Sequence, residues 1–499
     1  MAAPPDSMTQ VADPRAALRR NVDSVFAVLA LGVSFALPLT RSFMPTVDPD
    51  IWWHLAAGRW MLDHHTVPSV DPFMTGGASH EWLDYSWLID VVLWLGYRVA
   101  GFAAPASYSR CMAGLLLLVC AALVQRDGSQ LVRRSFAAAV GFLSISTQFG
   151  PRTYLFSALF TGLTLLFVRG YLRGADPRRG YWLVPMFALW ANVHIEFIYG
   201  LFFLGLATFD RWLKRRGPGT RADRSWKPLA LLTVLCLAAT AMNPFGLRLH
   251  AMILRMMGPY TANDLVSEMQ ANAFRSPIDY LILLLFGSAV FTLAQRRARD
   301  VYSWGSLVVS AYMGFHSQRV SWLLSFVALD ILGDHALFSG GHETGSGHEA
   351  GQAPRLYRLS LPAVVGVTIV VLTAFLVRAR ERLVPLALFP YAAASFARDR
   401  ALRGPLYNDW NWGGFFRFEL PDIPGNIDGR GPIFGDELSV STLNTWRGKP
   451  GWRTDPDLDR AGFVIANAQT ALSQLLRYDG RFKMVFEDEM AVVFVREAN

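Results

Sequence analysis

Charge is what this chain has least of. Only 17% of its 499 residues are Asp, Glu, Lys or Arg, against roughly 25% in a soluble globular protein. With 52% hydrophobic residues and a mean hydropathy of +0.26, it lacks the polar surface of a water-soluble enzyme. The same apolar content excludes intrinsic disorder. Cysteine is scarce too: Cys111, Cys120 and Cys236 lie inside apolar runs, which argues against a disulfide framework or a four-ligand zinc site. No G-x-x-x-x-G-K-[ST] occurs, and no G-x-G-x-x-G follows a strand, so direct use of ATP or a nucleotide sugar is disfavoured. Residues 1–20 are polar and no small-residue cleavage site follows an apolar core, so no cleavable signal peptide is expected.

What is present is a series of apolar runs, near 23–43, 107–124, 134–150, 153–169, 228–243, 277–295, 301–316, 319–333 and 359–378. Each approaches the ~20 residues that carry a helix across a bilayer. The net charge of +8 is gathered in short arginine clusters between runs. That pattern fits the cytoplasmic face of a membrane protein and not a nucleic-acid surface. Two further segments decide the topology. Residues 86–103 are apolar but interrupted by Asp90 and Arg98 and rich in Trp and Tyr, as in a helix lying at the outer interface. Residues 181–210 carry a polar centre, Asn192-Val193-His194-Ile195-Glu196, and split into two short helices with that centre at the outer turn. Reading both as single spans would put Arg126, Arg133, Arg134 and Arg169 outside the cell.

The expected fold class is therefore an α-helical polytopic membrane protein of about eleven spans with a small C-terminal α/β soluble domain. Residues 1–22 form a cytoplasmic N-terminal tail, 23–378 the transmembrane domain with a large first outer loop (44–106), and 334–357 a flexible Gly/His-rich cytoplasmic linker. A second outer loop covers 244–276, and 385–499 form the extracytoplasmic α/β domain. Arg378, Arg380 and Arg382 count against this sidedness, which repairs two loops at the cost of one. The linker histidines His335, His342 and His348 are too irregularly spaced for a metal site. In the tail, FVIA, MVFE and AVVFV read as buried strands and 465–477 as a helix.

That sidedness brings scattered polar residues to one level. Asp48, Asp50 and His54 follow the first span; Arg152 sits at a Gly-Pro turn; His194 and Glu196 lie at the next outer turn; Asn243, His316 and Arg319 end other runs. Ionisable residues at membrane depth are functional candidates by default. Each has a plainer reading. Asp50 caps a helix, with about even odds. Asp48, Asp50 and His54 form at most a thin ligand set for a divalent cation. Arg152 and Arg319 close turns or reach lipid headgroups, although a guanidinium suits a phosphate. His194 and Glu196 pair as a structural network. Trp52 to Trp60 read more readily as an interfacial anchor than as a sugar platform. Asp409, Asp428 and Arg430 read as turn contacts.

These residues resemble the GT-C superfamily of integral-membrane glycosyltransferases, in which an acidic residue opens the first outer loop. Asp48-Pro49-Asp50-Ile51-Trp52-Trp53-His54 matches that opening and its first juxtamembrane helix. The chain is also similar to a bacterial group of GT-C-like membrane proteins that share HEWL (His80 to Leu83), WANxH (Trp190 to His194) and NPxG (Asn243 to Gly246). Their tails share YND-x-x-WGG (Tyr407 to Gly414) and IDGR (Ile427 to Arg430). It departs from that group at Ile195-Glu196, where a glycine pair is expected.

The resemblance implies inverting transfer of a sugar from a polyprenyl phosphate donor to a glycan, lipid or protein acceptor, in a bacterial inner membrane and without nucleic acid. Asp50 would be the general base, with Asp48, His54 and Glu196 as further catalytic candidates. Arg152, Arg319, His194 and His316 would bind the donor phosphate. A divalent cation (Mg or Mn) on Asp48, Asp50 and His54 is the one cofactor implied. Two other readings remain at this stage: a non-catalytic subunit of an envelope assembly machine, and a lipid-linked glycan transporter.

Overall fold

The computed structural model describes residues 14–39, 48–75, 81–125, 130–215, 226–256, 258, 266–295, 297–334 and 354–497. The start of the first outer loop before Asp48, His80, and the linker histidines His335, His342 and His348 lie outside the described residues.

Every expected apolar run forms a helix, though 134–150 leaves its α-helix at Ser144, 228–243 ends at Ala239, and 40–43 lie outside the described residues. In chain order the helices are α1 (Pro14–Leu39), α2 (Asp50–His64), α3 (Trp87–Ala100), α4 (Ala103–Val124), α5 (Leu131–Ser144), α6 (Tyr154–Leu172) and α7 (Leu183–Val193). They continue with α8 (Phe197–Lys214), α9 (Lys227–Ala239), α10 (Arg248–Met256), α11 (Pro277–Gln295), α12 (Val301–His316), α13 (Ser321–Asp334) and α14 (Arg355–Arg378). Five of these, α1, α4, α6, α11 and α14, are long and apolar enough to cross a bilayer. The segment 181–210 splits as expected. His194 is extended at φ −166° and ends α7, and α8 starts at Phe197.

The position of α13 explains where the site forms. Its residues from Ser321 to Gly333 are all buried, and it packs against α4, α5, α6, α11 and α12. A helix apolar on every side belongs at the centre of a bundle. The turn that leads into it, carrying Arg319, is therefore central too. By contrast α14 leaves Val367, Val370, Val371 and Phe375 exposed, as a lipid-facing helix does.

The tail contributes α15 (Tyr391–Asp399), β1 (Leu406–Asn408), α16 (Gly413–Glu419), α17 (Gly435–Trp446), β2 (Phe463–Asn467), β3 (Phe482–Glu487) and β4 (Ala491–Arg496). The sheet order is β1-β2-β4-β3, with β1 parallel to β2 and the other pairs antiparallel. The three expected strands are present, but MVFE is not buried: β3 is the edge strand and leaves Met484 and Val485 exposed. The expected helix 465–477 is cut to Ala471–Leu476, because Ile465, Ala466 and Asn467 pair with β4 and Thr470 caps the shorter helix.

The tail is not a loose appendage. Gly425 of the tail hydrogen-bonds Phe73 and Thr75 of the first outer loop through the backbone, and α16 packs along α2. Trp52 is fully buried at that junction, ringed by Phe102, Phe389, Phe415 and Phe418 at 5.1–5.3 Å between centroids. The interfacial-anchor reading of Trp52 is thus corrected. Its ring fastens the tail to the juxtamembrane helices, because packing with other aromatics removes more apolar area from water than an interface does.

Candidate active site

The first turn of α2 separates two neighbouring carboxylates. Asp48 accepts the backbone N–H of Asp50 at 3.0 Å, so Asp48 and not Asp50 caps this helix. Its other oxygen accepts from Arg152 Nε. Asp50 is left with no hydrogen-bond donor on its carboxylate among the described residues. Burial, then the neighbouring Asp48 charge, pushes its pKa up to about 6. A carboxyl so tuned takes a proton near neutral pH more readily than an ordinary one.

Arg152 leads into a second pair. Its Nη1 donates to Glu268 Oε2, while Glu268 Oε1 accepts from Arg319 Nη1 at 3.1 Å. The charges alternate along Asp48, Arg152, Glu268 and Arg319. Burial works against the Arg152 charge, yet Asp48, Asp50 and Glu268 hold the guanidinium protonated more firmly than usual. Tyr154 lies beneath both arginines, its ring centroid 6.0 Å from Arg152 and 5.5 Å from Arg319. Together with Gln148 these side chains line a cavity of about 340 Å³.

The WANxH turn stands behind Arg319. Asn192 donates to Ala188 O and Met242 O at 2.7 Å and accepts from Trp87 Nε1 at 2.9 Å, which ties α3, α7 and the end of α9 together. His194 Nδ1 meets Ser157 Oγ at 2.8 Å, and Ser157 also accepts from Trp190 Nε1. Burial, then the Arg319 charge, holds His194 well below its ordinary pKa and so neutral. Glu196 Oε2 is 3.5 Å from His194 and has no hydrogen-bond partner. Burial pushes Glu196 up to about 7 against the pull of Arg319.

Three candidates fall outside this arrangement. His54 turns onto Asp90, its Nδ1 2.6 Å from Oδ1, in a buried chain with Ser86 and Asp84. Asp48, Asp50 and His54 therefore do not gather as ligands. Among the described residues no three His, Cys, Asp or Glu side chains do. The carboxylates of Asp48 and Glu268 already face guanidinium groups, so the residues present do not fit the implied divalent cation. His316 is exposed and stacks on Tyr312 at an interplanar angle of 6°, away from the cavity lining. Asn243 is a turn residue, accepting from Phe245 N and donating to Thr240 O.

The tail closes over α2. Arg430 makes a two-pronged contact with Asp71 at 3.0 and 3.1 Å and a second with Asp428 at 2.9 and 2.7 Å. Its guanidinium sits 4.4 Å over the Trp82 ring. Between Asp428 and Arg430, Gly429 presses on the carboxylate of Asp50: a Cβ there would fall 2.1 Å from Asp50 Oδ1. Gly429→Ala is expected to displace that carboxylate with folding retained, so the titration of Asp50 shifts while the thermal melt does not. Asp409 only caps the turn at Asn411.

No protein-family model matches the chain, and no curated protein does. Solved structures match it by shape. ArnT from Cupriavidus metallidurans, in the apo state, aligns over 96% of this chain and 98% of its own, with 16% identity and a TM-score of 0.47. The Archaeoglobus fulgidus oligosaccharyltransferase aligns over 90% and 70%, with 11% identity and a TM-score of 0.47. The arabinofuranosyltransferase AftD from Mycobacteria superposes on 95% of this chain and 40% of its own length, with 14% identity and a TM-score of 0.52. The chain shares its fold with AftD.

Within this fold, the sequence brought Asp48, Asp50, Arg152 and Arg319 to notice but not Glu268. Glu268 is the only acid between Asn243 and Ser276 besides Asp264 in the second outer loop. Two arginines expected at one depth require such an anion, and that requirement was the available signal. Asp71 had none, and Glu81 lay in the HEWL motif with nothing there to name its partners. Asp71 is defined by its partner Arg430, 359 residues away. Glu81 takes Arg248 and Arg255 at 2.8 and 2.9 Å on the surface.

Proposed function

We propose that this protein is a membrane glycosyltransferase that moves a sugar from a polyprenyl phosphate donor to an acceptor at the outer membrane–water boundary. The observation that carries the reading is the cavity in which Arg152 and Arg319 face one anion position, with the raised-pKa Asp50 directly after the lining Asp48 and Pro49. AftD, which shares the fold, is an arabinofuranosyltransferase; the chemistry proposed here rests on the site.

The donor's lipid tail lies along the apolar helices and its phosphate between the two guanidiniums. The acceptor hydroxyl attacks the anomeric carbon from the face opposite the phosphate. Asp50 takes the hydroxyl proton as the new C–O bond forms and the C–O bond to phosphate breaks. The bond electrons leave on the phosphate oxygen. Fixed guanidiniums in a water-poor site stabilise that growing charge without reorganising. A single displacement of this kind inverts the anomeric centre. Asp48 positions both partners: it caps the turn bearing Asp50 and holds Arg152. Glu196 and His194 stand behind Arg319, where they border the sugar.

The test compares lipid extracts, by mass spectrometry, from cells making wild-type protein and Asp50→Asn at equal membrane levels. A polyprenyl phosphate sugar that accumulates only with the variant is the expected result, and it identifies the sugar. Unchanged lipids with normal function would remove Asp50 as the base and favour a scaffolding role.

A further inference from the structure

The charges in the cavity balance only because Glu268 is there. Arg152 and Arg319 bring two positive charges, and Asp48 and Glu268 bring two negative ones. Glu268 spreads one carboxylate across both guanidiniums, Oε2 to Arg152 and Oε1 to Arg319. The two free oxygens of a phosphodiester carry the same single charge over a similar span, and guanidinium forks receive either group.

The backbone below Glu268 is fixed. Gln318 N donates to Gln270 O at 3.0 Å and Asn272 N to Phe315 O at 3.1 Å. Asn272 Nδ2 donates to Gly314 O at 2.6 Å, and Ser317 Oγ reaches Glu268 O at 3.4 Å. The segment is thus sewn to the turn between α12 and α13. The Glu268 side chain itself is 30% exposed and, among the described residues, pairs with the two arginines alone. Rotation of that side chain alone vacates the position between them.

We propose that Glu268 is a built-in stand-in for the donor phosphate: it holds Arg152 and Arg319 in the empty protein and is exchanged for the phosphodiester of an arriving lipid-linked sugar. The exchange rests on the reading of those arginines as the phosphate-binding pair. Adding a phosphate while Glu268 stayed in place would leave a net negative charge in a partly buried site, which is costly. Swapping one monoanion for another keeps the balance. Arg152 retains Asp48 throughout, so it does not swing away when Glu268 leaves. The device also selects its ligand, because only an anion that reaches both guanidiniums displaces the carboxylate. A lipid without such a phosphate leaves the lock closed.

The sign of one substitution tests this. Wild-type protein and Glu268→Gln, each full-length in detergent, are titrated with the methyl diester of undecaprenyl phosphate, a monoanionic phosphodiester, and followed by tryptophan fluorescence. The neutral amide no longer competes for the guanidiniums, so the variant is expected to bind roughly 3- to 10-fold tighter, as for a lost pair of partly exposed ion pairs. Glu268→Asp, too short to span both arginines, shifts affinity the same way by less and provides the reading should the glutamine variant not fold. Weaker binding in both variants would make Glu268 a permanent brace and overturn the exchange. Equal binding in wild type and variants would overturn it as well, with the phosphate reading intact. No saturable binding in any of them would overturn the phosphate reading and the exchange together.

Discussion

Asp50→Asn is expected to lower the rate of sugar transfer about 10²–10⁴-fold, the range for loss of a positioned general base. The amide keeps the shape of the carboxyl and does not disturb Asp48, whose contact to this residue is with the backbone N–H. Folding and donor affinity should therefore stay near wild type. The wild-type profile has its own signature. As the proposed base Asp50 must be unprotonated, and burial and then Asp48 push its pKa up to about 6. kcat/KM should fall about tenfold per pH unit below that value and be flat above it. Asp50→Asn should lose this acid limb. A variant with wild-type rate, or with the limb intact, would assign the base elsewhere, with Glu196 at about 7 the next carboxyl to test.

The second large effect is on stability and lies outside the cavity. Arg430→Met is expected to destabilise the protein by about 3–5 kcal/mol, because it strands two buried carboxylates. The side chains of Asp71 and Asp428 are both 0% exposed. Burial works against the Asp428 charge, yet Arg430 and Arg417 hold its carboxyl below its ordinary value, so the pair is ionised as the fold stands. After the substitution, among the described residues, Asp428 keeps the backbone N–H of residue 430 at 3.0 Å and Arg417 at 3.4 Å, and Asp71 keeps the Phe73 N–H at 2.9 Å. The loop carrying Gly429 would then lift from Asp50. Thermal unfolding and limited proteolysis of the tail should both show the loss. Removing the acid as well, in Asp71→Leu/Arg430→Met, should recover part of it. If the single variant melts like wild type, the tail is held to α2 by the Trp52 aromatic cluster alone.

The membrane helices were legible from the sequence because lipid imposes one rule on every position: about 20 apolar residues, with polar groups at the ends. That rule located the runs and the break at His194 to Glu196, and it brought Asp48, Arg152, Glu196 and Arg319 to notice as awkward in lipid. Three tail strands were legible from their apolar runs. Depth, however, is one coordinate of three. Which polar groups face one another depends on the rotation and packing of helices far apart in the chain, and no local pattern encodes that. Hence His54, one turn from Asp50, was expected beside it but bonds Asp90 on α3. His316 shares the level yet faces outward onto Tyr312.

The capping of α2 by Asp48, the place of Glu268 between two arginines and the closure of Gly429 over Asp50 are all long-range or geometric facts. Sequence by itself determined what must sit in lipid and which residues are awkward there. Tertiary structure decided which of those residues meet, because a buried charge is fixed by the partner that neutralises it and not by its neighbours in the chain.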